Sequence, residues 1–276
     1  MTPLADKTQI VRHICAALAA GDTHKASEIA RKDYPFAPRS KAETKLYSSA
    51  FAATSVVLRD GFIARSDGTR LVAREIGGKR SSFSAFEATS LFLRDGFIDR
   101  YTGTQLVFPG ALRLLSLLLP VEFPWDRNWE PSVSHIISWD FFPTVDHVVP
   151  ITRLEVPDST DNWITTSMML NNVKASRTLY ELGWTILPPG DLATWDGLMR
   201  WFLEFISRSP EHLAHSYIKR WHSAAKRACL RSFAPSDPLD GEHGTPVICA
   251  GKQSFQDNGV PKQELQHERK ASAQPS

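Results

Sequence analysis

The sequence predicts an α+β protein in which a small unit, composed of a strand, a second apolar segment and a helix, lies between helical flanks. The β-branched, apolar run at residues 144–149 is typical of a buried strand. A polar loop and a second apolar segment follow. Residues 168–176 then have the pattern of a helix that begins behind Thr165, Thr166 or Ser167. Apolar residues at helical spacing on both sides of this unit predict the flanking helices.

The amino-terminal part, residues 1–47, is predicted to be a helical lead-in. Ile10, Ile14 and Leu18 recur at four-residue spacing, and a second helical turn covers residues 23–31. This periodicity places the three side chains on one face of a helix, which we expect to pack on the rest of the protein.

An internal duplication follows the lead-in. Residues 49–63 resemble residues 84–98, so that Arg59 corresponds to Arg94, and each copy continues into a Gly-Thr-x-Leu-Val run. Each copy predicts a helix, an Asp-Gly turn and a hairpin. We interpret residues 48–82 as a degenerate copy with a structural role, because two copies are too few for a solenoid.

Two helices are predicted within residues 191–232. The first, at 192–207, has a core face formed by Trp195, Leu198, Met199, Phe202 and Ile206. The second, at 210–232, has a basic stripe formed by Lys219, Arg220, Lys226, Arg227 and Arg231. Such a stripe either approaches phosphates or is simply a solvated face. Residues 233–276 are poor in apolar side chains, which predicts a disordered tail.

Composition limits the class of protein. The net charge of +2 over 276 residues does not by itself indicate a nucleic-acid partner, so any such attraction must be local. The three cysteines form no CxxC pair, which predicts neither a structural zinc site nor a disulfide framework. The polar amino terminus lacks the apolar core of a signal peptide, and the apolar run at 114–121 is too short to span a bilayer. We therefore expect a soluble, cytoplasmic protein with no membrane partner.

Reaction chemistry is concentrated in four polar positions of the central unit. Asp146 and His147 lie in the first strand, Asn162 precedes the second apolar segment, and Asn171 lies in the predicted helix. A carboxylate in an apolar strand is costly unless a partner compensates its charge. Neighbouring strand residues point to opposite faces, so Asp146 and His147 line one surface only where the strand ends or twists. Lys174 follows Asn171 by one helical turn and shares its face.

This order of residues resembles the HNH, or ββα-metal, family of nucleases. The flanks resemble a bacterial HNH group with an Arg-Asp-Gly-Phe-Ile stretch, an Asn-Trp-[Ile/Val]-Thr-Thr-Ser run and a Leu-Gly-Trp segment. Here these are residues 94–98, 162–167 and 182–184. The resemblance covers roughly residues 34–231 and implies a ββα-metal core at 83–190, which lacks the zinc-knuckle cysteines that many members have.

The resemblance implies a metal-dependent endonuclease that hydrolyses phosphodiester bonds in DNA, with RNA left open and no protein partner expected. Asp146 and Asn171 would bind one divalent cation, Mg²⁺ or Mn²⁺ first and Ni²⁺ or Zn²⁺ as alternatives. His147 would be the general base, since imidazole exchanges protons near neutral pH. Asn162 would hold the His147 segment in place. Lys174 and Arg153 would contact phosphates.

Two departures from the family pattern leave alternatives open. Asp99 and Thr102 stand where the knuckle cysteines would be, with Phe97 and Tyr101 as the expected packing in place of the metal clip. The loop at residues 154–155 is Leu-Glu where related proteins have small, flexible residues. These departures suggest a catalytically impaired HNH-fold protein that binds DNA or protein. A structural bundle in which the Asp-His pair is incidental is the third hypothesis.

Overall fold

The computed structural model describes residues 4–40, 43, 83–128, 130–153 and 159–232. The predicted repeat copy at 48–82 and the predicted disordered tail at 233–276 lie outside the described residues. Within them, the protein combines helices with one small antiparallel sheet, which is the α+β class expected from the sequence.

The amino-terminal segment forms two helices, α1 at Leu4–Ala19 and α2 at Thr23–Asp33. The chain turns between them at Gly21, whose φ of +79° is favourable for glycine. Asp22 begins α2, because its side chain accepts a hydrogen bond from the Lys25 backbone N–H. As predicted, Ile14 and Leu18 are buried, and α1 packs on α2.

The described repeat copy begins with α3, at Ala85–Arg94. Ser84 and Glu87 form a capping box at its first turn, and the helix ends at Asp95-Gly96 as the sequence predicts. The predicted hairpin is reduced to one isolated antiparallel bridge, between Ile98 and Gln105. Two further helices follow: α4 at Pro109–Leu118 and α5 at Ile137–Phe141.

The central unit consists of two strands and a helix in chain order. Strand β1, at Pro143–His147, pairs antiparallel with β2, at Trp163–Ser167, so that His147 lies opposite Trp163. Helix α6, at Met168–Lys174, follows β2 directly. Of the three predicted N-cap candidates, Ser167 begins the helix, accepting a hydrogen bond from the Leu170 N–H.

Three α-helices and one 3₁₀ helix complete the described chain: α7 at Leu179–Leu182, α8 at Met199–Arg208, the 3₁₀ helix at Pro210–Ala214 and α9 at Ser216–Ser232. The helix predicted from residue 210 is therefore α-helical only from Ser216. The helix predicted from residue 192 starts later, because Leu198 has a left-handed backbone with φ +61°. The Asp196 carboxylate stabilises this turn by accepting hydrogen bonds from the Leu198 and Arg200 N–H groups. The predicted core face from Trp195 to Ile206 is nevertheless buried.

The corner predicted to replace a zinc knuckle is held by the Asp99 carboxylate. Asp99 is fully buried and accepts hydrogen bonds from the Tyr101 N–H, the Thr166 hydroxyl and the Ser167 N–H. Burial raises the pKa of Asp99, and these hydrogen bonds oppose that rise. Phe97 is buried, as expected of a residue that packs in place of the metal clip.

Asp95 forms a second buried connection beside this corner. Its carboxylate accepts the Thr165 N–H at 2.7 Å and forms an ion pair with Arg100 at 2.6 Å. Both carboxylates therefore connect the repeat copy to β2, and through it to the central unit.

Cys15 is a buried free thiol, but Cys229 takes part in a disulfide, so the prediction that the cysteines form no disulfide framework is wrong for Cys229. In the part of the chain that the structure describes, no helix combines the length and the apolar character that crossing a membrane requires.

Candidate functional site

The two faces of β1 carry different parts of the candidate site. Successive side chains of a strand point to opposite faces. Helix α6 packs against the face with Thr144 and Asp146, where it forms hydrogen bonds to both side chains. Helix α3 packs on the same small sheet, and Phe83, just before it, contacts the His147 ring on the other face. The structure thus separates the Asp146 and His147 side chains across the strand.

Asp146 is buried and its charge is compensated by a lysine. The Lys174 Nζ lies 3.1 Å from Oδ2 and 3.4 Å from Oδ1 of Asp146, and the exposed fraction of Lys174 is 0%. The Tyr101 hydroxyl donates to the same carboxylate at 2.7 Å. Burial, followed by the Asp146 charge, raises the pKa of Tyr101, which keeps its proton available for this hydrogen bond.

Lys174 also holds the backbone beside the predicted base. Its Nζ donates to the His147 carbonyl at 2.6 Å, in addition to the Asp146 carboxylate. A lysine that is buried with all its contacts inside the protein does not reach an external phosphate. The prediction that Lys174 contacts nucleic acid is therefore wrong for this arrangement, because the ammonium neutralises a buried carboxylate instead.

Asn171 connects α6 to β1. Its Nδ2 donates to the Thr144 hydroxyl at 3.0 Å and to the Val145 carbonyl at 3.2 Å. Asn171 and Lys174 lie on one face of the helix, as predicted, and that face covers Thr144 and Asp146. The structure thus brings Asp146, Asn171 and Lys174 to the same side of the strand.

His147 lies on an aromatic face at the end of β1. Its ring centroid is 5.7 Å from that of Phe83, and Phe83 meets Trp163 edge-on at 4.6 Å. His147 is partly buried, so its imidazole is bounded by aromatic rings but retains contact with solvent. The imidazole therefore lies on the α3 side of the sheet, and the Asp146 carboxylate lies on the α6 side.

Asn162 holds the chain immediately after His147. Its Oδ1 accepts the Val149 N–H at 2.8 Å, and its Nδ2 donates to the Val149 carbonyl at 3.0 Å. The Val148 N–H also donates to the Asn162 carbonyl, at 2.8 Å. These hydrogen bonds are the ones expected of a residue that positions the His147 segment.

Arg153 is the remaining predicted phosphate contact, and it is exposed. Its Nη1 lies 2.9 Å from Oε1 of Glu181, which itself caps α7. The backbone N–H of Thr178 and then Arg153 lower the pKa of Glu181, so Glu181 is an anion at neutral pH and competes with phosphate for the guanidinium. The Leu-Glu departure at residues 154–155 lies outside the described residues.

The chemistry of the donor atoms favours a divalent cation at this site, but the contacts that these atoms already make oppose it. Carboxylate and amide oxygens suit Mg²⁺ or Mn²⁺, and Asp146 and Asn171 share one side of β1. Both Asp146 oxygens, however, already interact with Lys174, and a divalent ion about 4 Å from an ammonium is repelled by roughly 8 kcal/mol at an effective dielectric of about 20. Among the residues described, no group of three or more His, Cys, Asp or Glu side chains is placed to hold a metal. The predicted ion does not fit while Lys174 stays in place.

Sequence reasoning assigned Tyr101 only to packing and did not assign Phe83 at all. Tyr101 donates to Asp146, and Phe83 lies between His147 and Trp163. The Tyr101 contact had a signal in the sequence, since a tyrosine inside a turn expected to pack against the central unit needs a partner for its hydroxyl. No comparable signal marked Phe83.

Comparison with known proteins finds no family model, no curated protein and no solved structure that matches this chain.

Proposed function

We propose that this protein is an HNH-type phosphodiester hydrolase acting on nucleic acid, with His147 as the general base. The observation that carries the proposal is the reciprocal pair of hydrogen bonds between Asn162 and the Val149 backbone. These bonds fix the chain directly behind His147, within a unit whose elements follow in the order strand, strand, helix. A base needs such positioning, because proton transfer depends on a fixed distance to the attacking water.

The surrounding residues support His147 in this role. Lys174 donates to the His147 carbonyl from the α6 side, and Asn162 holds the segment that follows. The imidazole lies at the aromatic edge formed with Phe83 and Trp163. His147 would accept a proton from water as the water oxygen bonds to phosphorus and the bond to the leaving oxygen breaks.

A second candidate function is a DNA-binding protein of the same fold that has lost turnover. The buried Asp146–Lys174 pair favours it, because an internal ammonium already satisfies the carboxylate that a metal ion would need. The separation of Asp146 and His147 across β1 also favours it.

One experiment separates the two candidates. Supercoiled plasmid is incubated with the full chain in Mg²⁺, Mn²⁺, Ni²⁺ or Zn²⁺, and binding is measured by gel shift in EDTA. Nicking that His147→Ala abolishes, and that a matched change at the exposed His24→Ala leaves intact, supports the hydrolase. Binding without nicking in any of the four cations supports the second candidate. Equal nicking by His147→Ala and the parent refutes the assignment of the base.

A further inference from the structure

The exposed face of α9 is strongly basic, and the acidic side chains of the described residues do not neutralise it. Exposed positions recur at helical spacing along the helix, and those that carry charge are Lys219, Arg220, Lys226 and Arg227. The sequence of α9 contains no Asp or Glu. No ion pair links any of these four cations to an acid within the described ranges. An ordinary solvated helix face mixes both signs and forms such pairs.

The two arginines of this face are held in place by aromatic rings. The Arg220 guanidinium lies 5.0 Å from the centroid of Tyr217, and the Arg227 guanidinium lies 4.3 Å from that of Phe86. Stacking fixes the plane of a guanidinium while its N–H edges stay available as donors. Donors arranged in this way suit phosphate oxygens, and less conformational entropy is lost when they bind.

The basic face also adjoins the candidate site. Helix α9 packs along α3, and the Arg227 guanidinium lies over the ring of Phe86 in α3. Three residues earlier in the chain, just before α3, Phe83 contacts the His147 ring. The segment at the amino-terminal end of α3 therefore contacts both the basic face of α9 and the His147 ring. The His147 ring lies on the face of the sheet opposite Asp146.

We propose that the α9 face formed by Lys219, Arg220, Lys226 and Arg227 binds the phosphate backbone of a DNA duplex that runs on toward His147. This inference rests on the proposed action on nucleic acid and assigns the surface that holds the substrate. From Lys219 to Arg227 the helix rises about 12 Å, which is the length of about three or four phosphates along one strand of a duplex. A polyanion with regular spacing is the partner that an unneutralised row of cations favours.

The test compares two variants with the same loss of charge. Lys219→Gln/Lys226→Gln removes two exposed lysines from α9 and leaves the stacked arginines intact, and Lys25→Gln/Lys32→Gln removes two exposed lysines from α2. Binding of the full chain to a duplex oligonucleotide is measured in EDTA over a series of salt concentrations. Each lost phosphate contact lowers the slope of log K against log salt by about 0.9, so the α9 variant is expected to lose about 1.8. The α2 variant is expected to match the parent.

The outcomes distinguish this inference from the proposed function. Equal slopes for the two variants, or no duplex binding by the parent, overturn the inference. If both variants are equal in slope and the parent still nicks plasmid, the α9 assignment fails and the hydrolase proposal stands. If the α9 variant alone loses slope and the parent never nicks, the surface is supported and the hydrolase proposal fails.

Discussion

The Nζ of Lys174 lies 3.1 Å from Oδ2 of Asp146, and both side chains are buried in the central unit. A buried carboxylate requires compensation by hydrogen bonds or by a positive charge, and for Asp146 the positive charge comes from the helix that follows β2. Lys174 therefore has two consequences. It stabilises the folded chain, and it keeps a second cation away from Asp146.

We expect Lys174→Met to lower the free energy of unfolding by about 3–5 kcal/mol, because it leaves the Asp146 carboxylate buried without its ion-pair partner. Urea denaturation measures this loss. The double variant Asp146→Asn/Lys174→Met is expected to recover most of it, since no charge is then left uncompensated.

The same single variant also tests competition with a metal ion. Mn²⁺ is expected to stabilise Lys174→Met against urea more than it stabilises the parent, because ligands that bind the folded state raise its stability. Equal stabilisation of the two proteins would show that Lys174 does not compete for the Asp146 carboxylate.

The ion pair with Glu181 is expected to weaken the contact of Arg153 with phosphate. Glu181→Gln keeps a side chain that can cap α7 and removes the anion beside the guanidinium, so duplex affinity is expected to rise. Arg153→Gln is expected to lower the affinity and to reduce the salt slope by about 0.9. Salt-dependent binding isotherms measure both. If the two substitutions shift affinity in the same direction, Arg153 is not a phosphate contact.

Gly96 and Gly21 both have positive φ, so an alanine substitution strains the backbone at either position. The two substitutions can therefore be compared for the additional effect of a close contact. An added Cβ at Gly21 meets no described atom within 4 Å, whereas at Gly96 it would collide with the Gly190 carbonyl oxygen. We expect Gly21→Ala to cost about 1–2 kcal/mol through the left-handed backbone alone. Gly96→Ala is expected to cost at least about 2 kcal/mol more, because the Gly190 backbone must move. Thermal or urea unfolding measures the difference.

The buried His135 side chain is expected to make the free energy of unfolding depend on pH. Burial is the main cause that lowers the pKa of His135 to about 4, and the ring accepts the Ile137 N–H at 3.0 Å. The unfolded chain therefore binds a proton on this histidine between about pH 6.5 and pH 4, where the folded chain does not. Stability is expected to fall as pH is lowered through that window, by roughly 3 kcal/mol from this group.

The control for this prediction is His135→Gln, which does not titrate in the same range. Its unfolding free energy is expected to depend less steeply on pH between about 4 and 6.5 than that of the parent. Identical pH slopes would show that His135 is not the group responsible.

Local features of this fold were predictable from the sequence because they depend on adjacent residues. Ser167 was among the predicted caps of α6, and the buried face from Trp195 to Ile206 follows from periodicity. The Asp95-Gly96 turn was likewise set by its own residues. Strand alternation allowed Asp146 and His147 to line one surface only where the strand ends or twists, and in the structure the two side chains lie on opposite faces.

Other features depend on contacts between distant segments. The sequence predicted that Lys174 is a surface cation that contacts phosphate. The packing of α6 on β1 instead buries Lys174, whose Nζ donates hydrogen bonds to Asp146 and to the His147 carbonyl. The late start of α8 depends on the Asp196 carboxylate, which competes with helical hydrogen bonds at Leu198. Phe83 reaches His147 because α3 packs on the sheet, which no spacing in the sequence encodes.

The Asp99 corner has a practical consequence for handling the protein. A turn clipped by thiolates and zinc is dismantled by chelators and by peroxide, because the ion can be extracted and the sulfur oxidised. A carboxylate that accepts hydrogen bonds from Tyr101, Thr166 and Ser167 offers neither reagent a target. Dialysis against EDTA and exposure to mild oxidants should therefore leave this part of the molecule intact, so that added cations can be titrated against a scaffold that does not change.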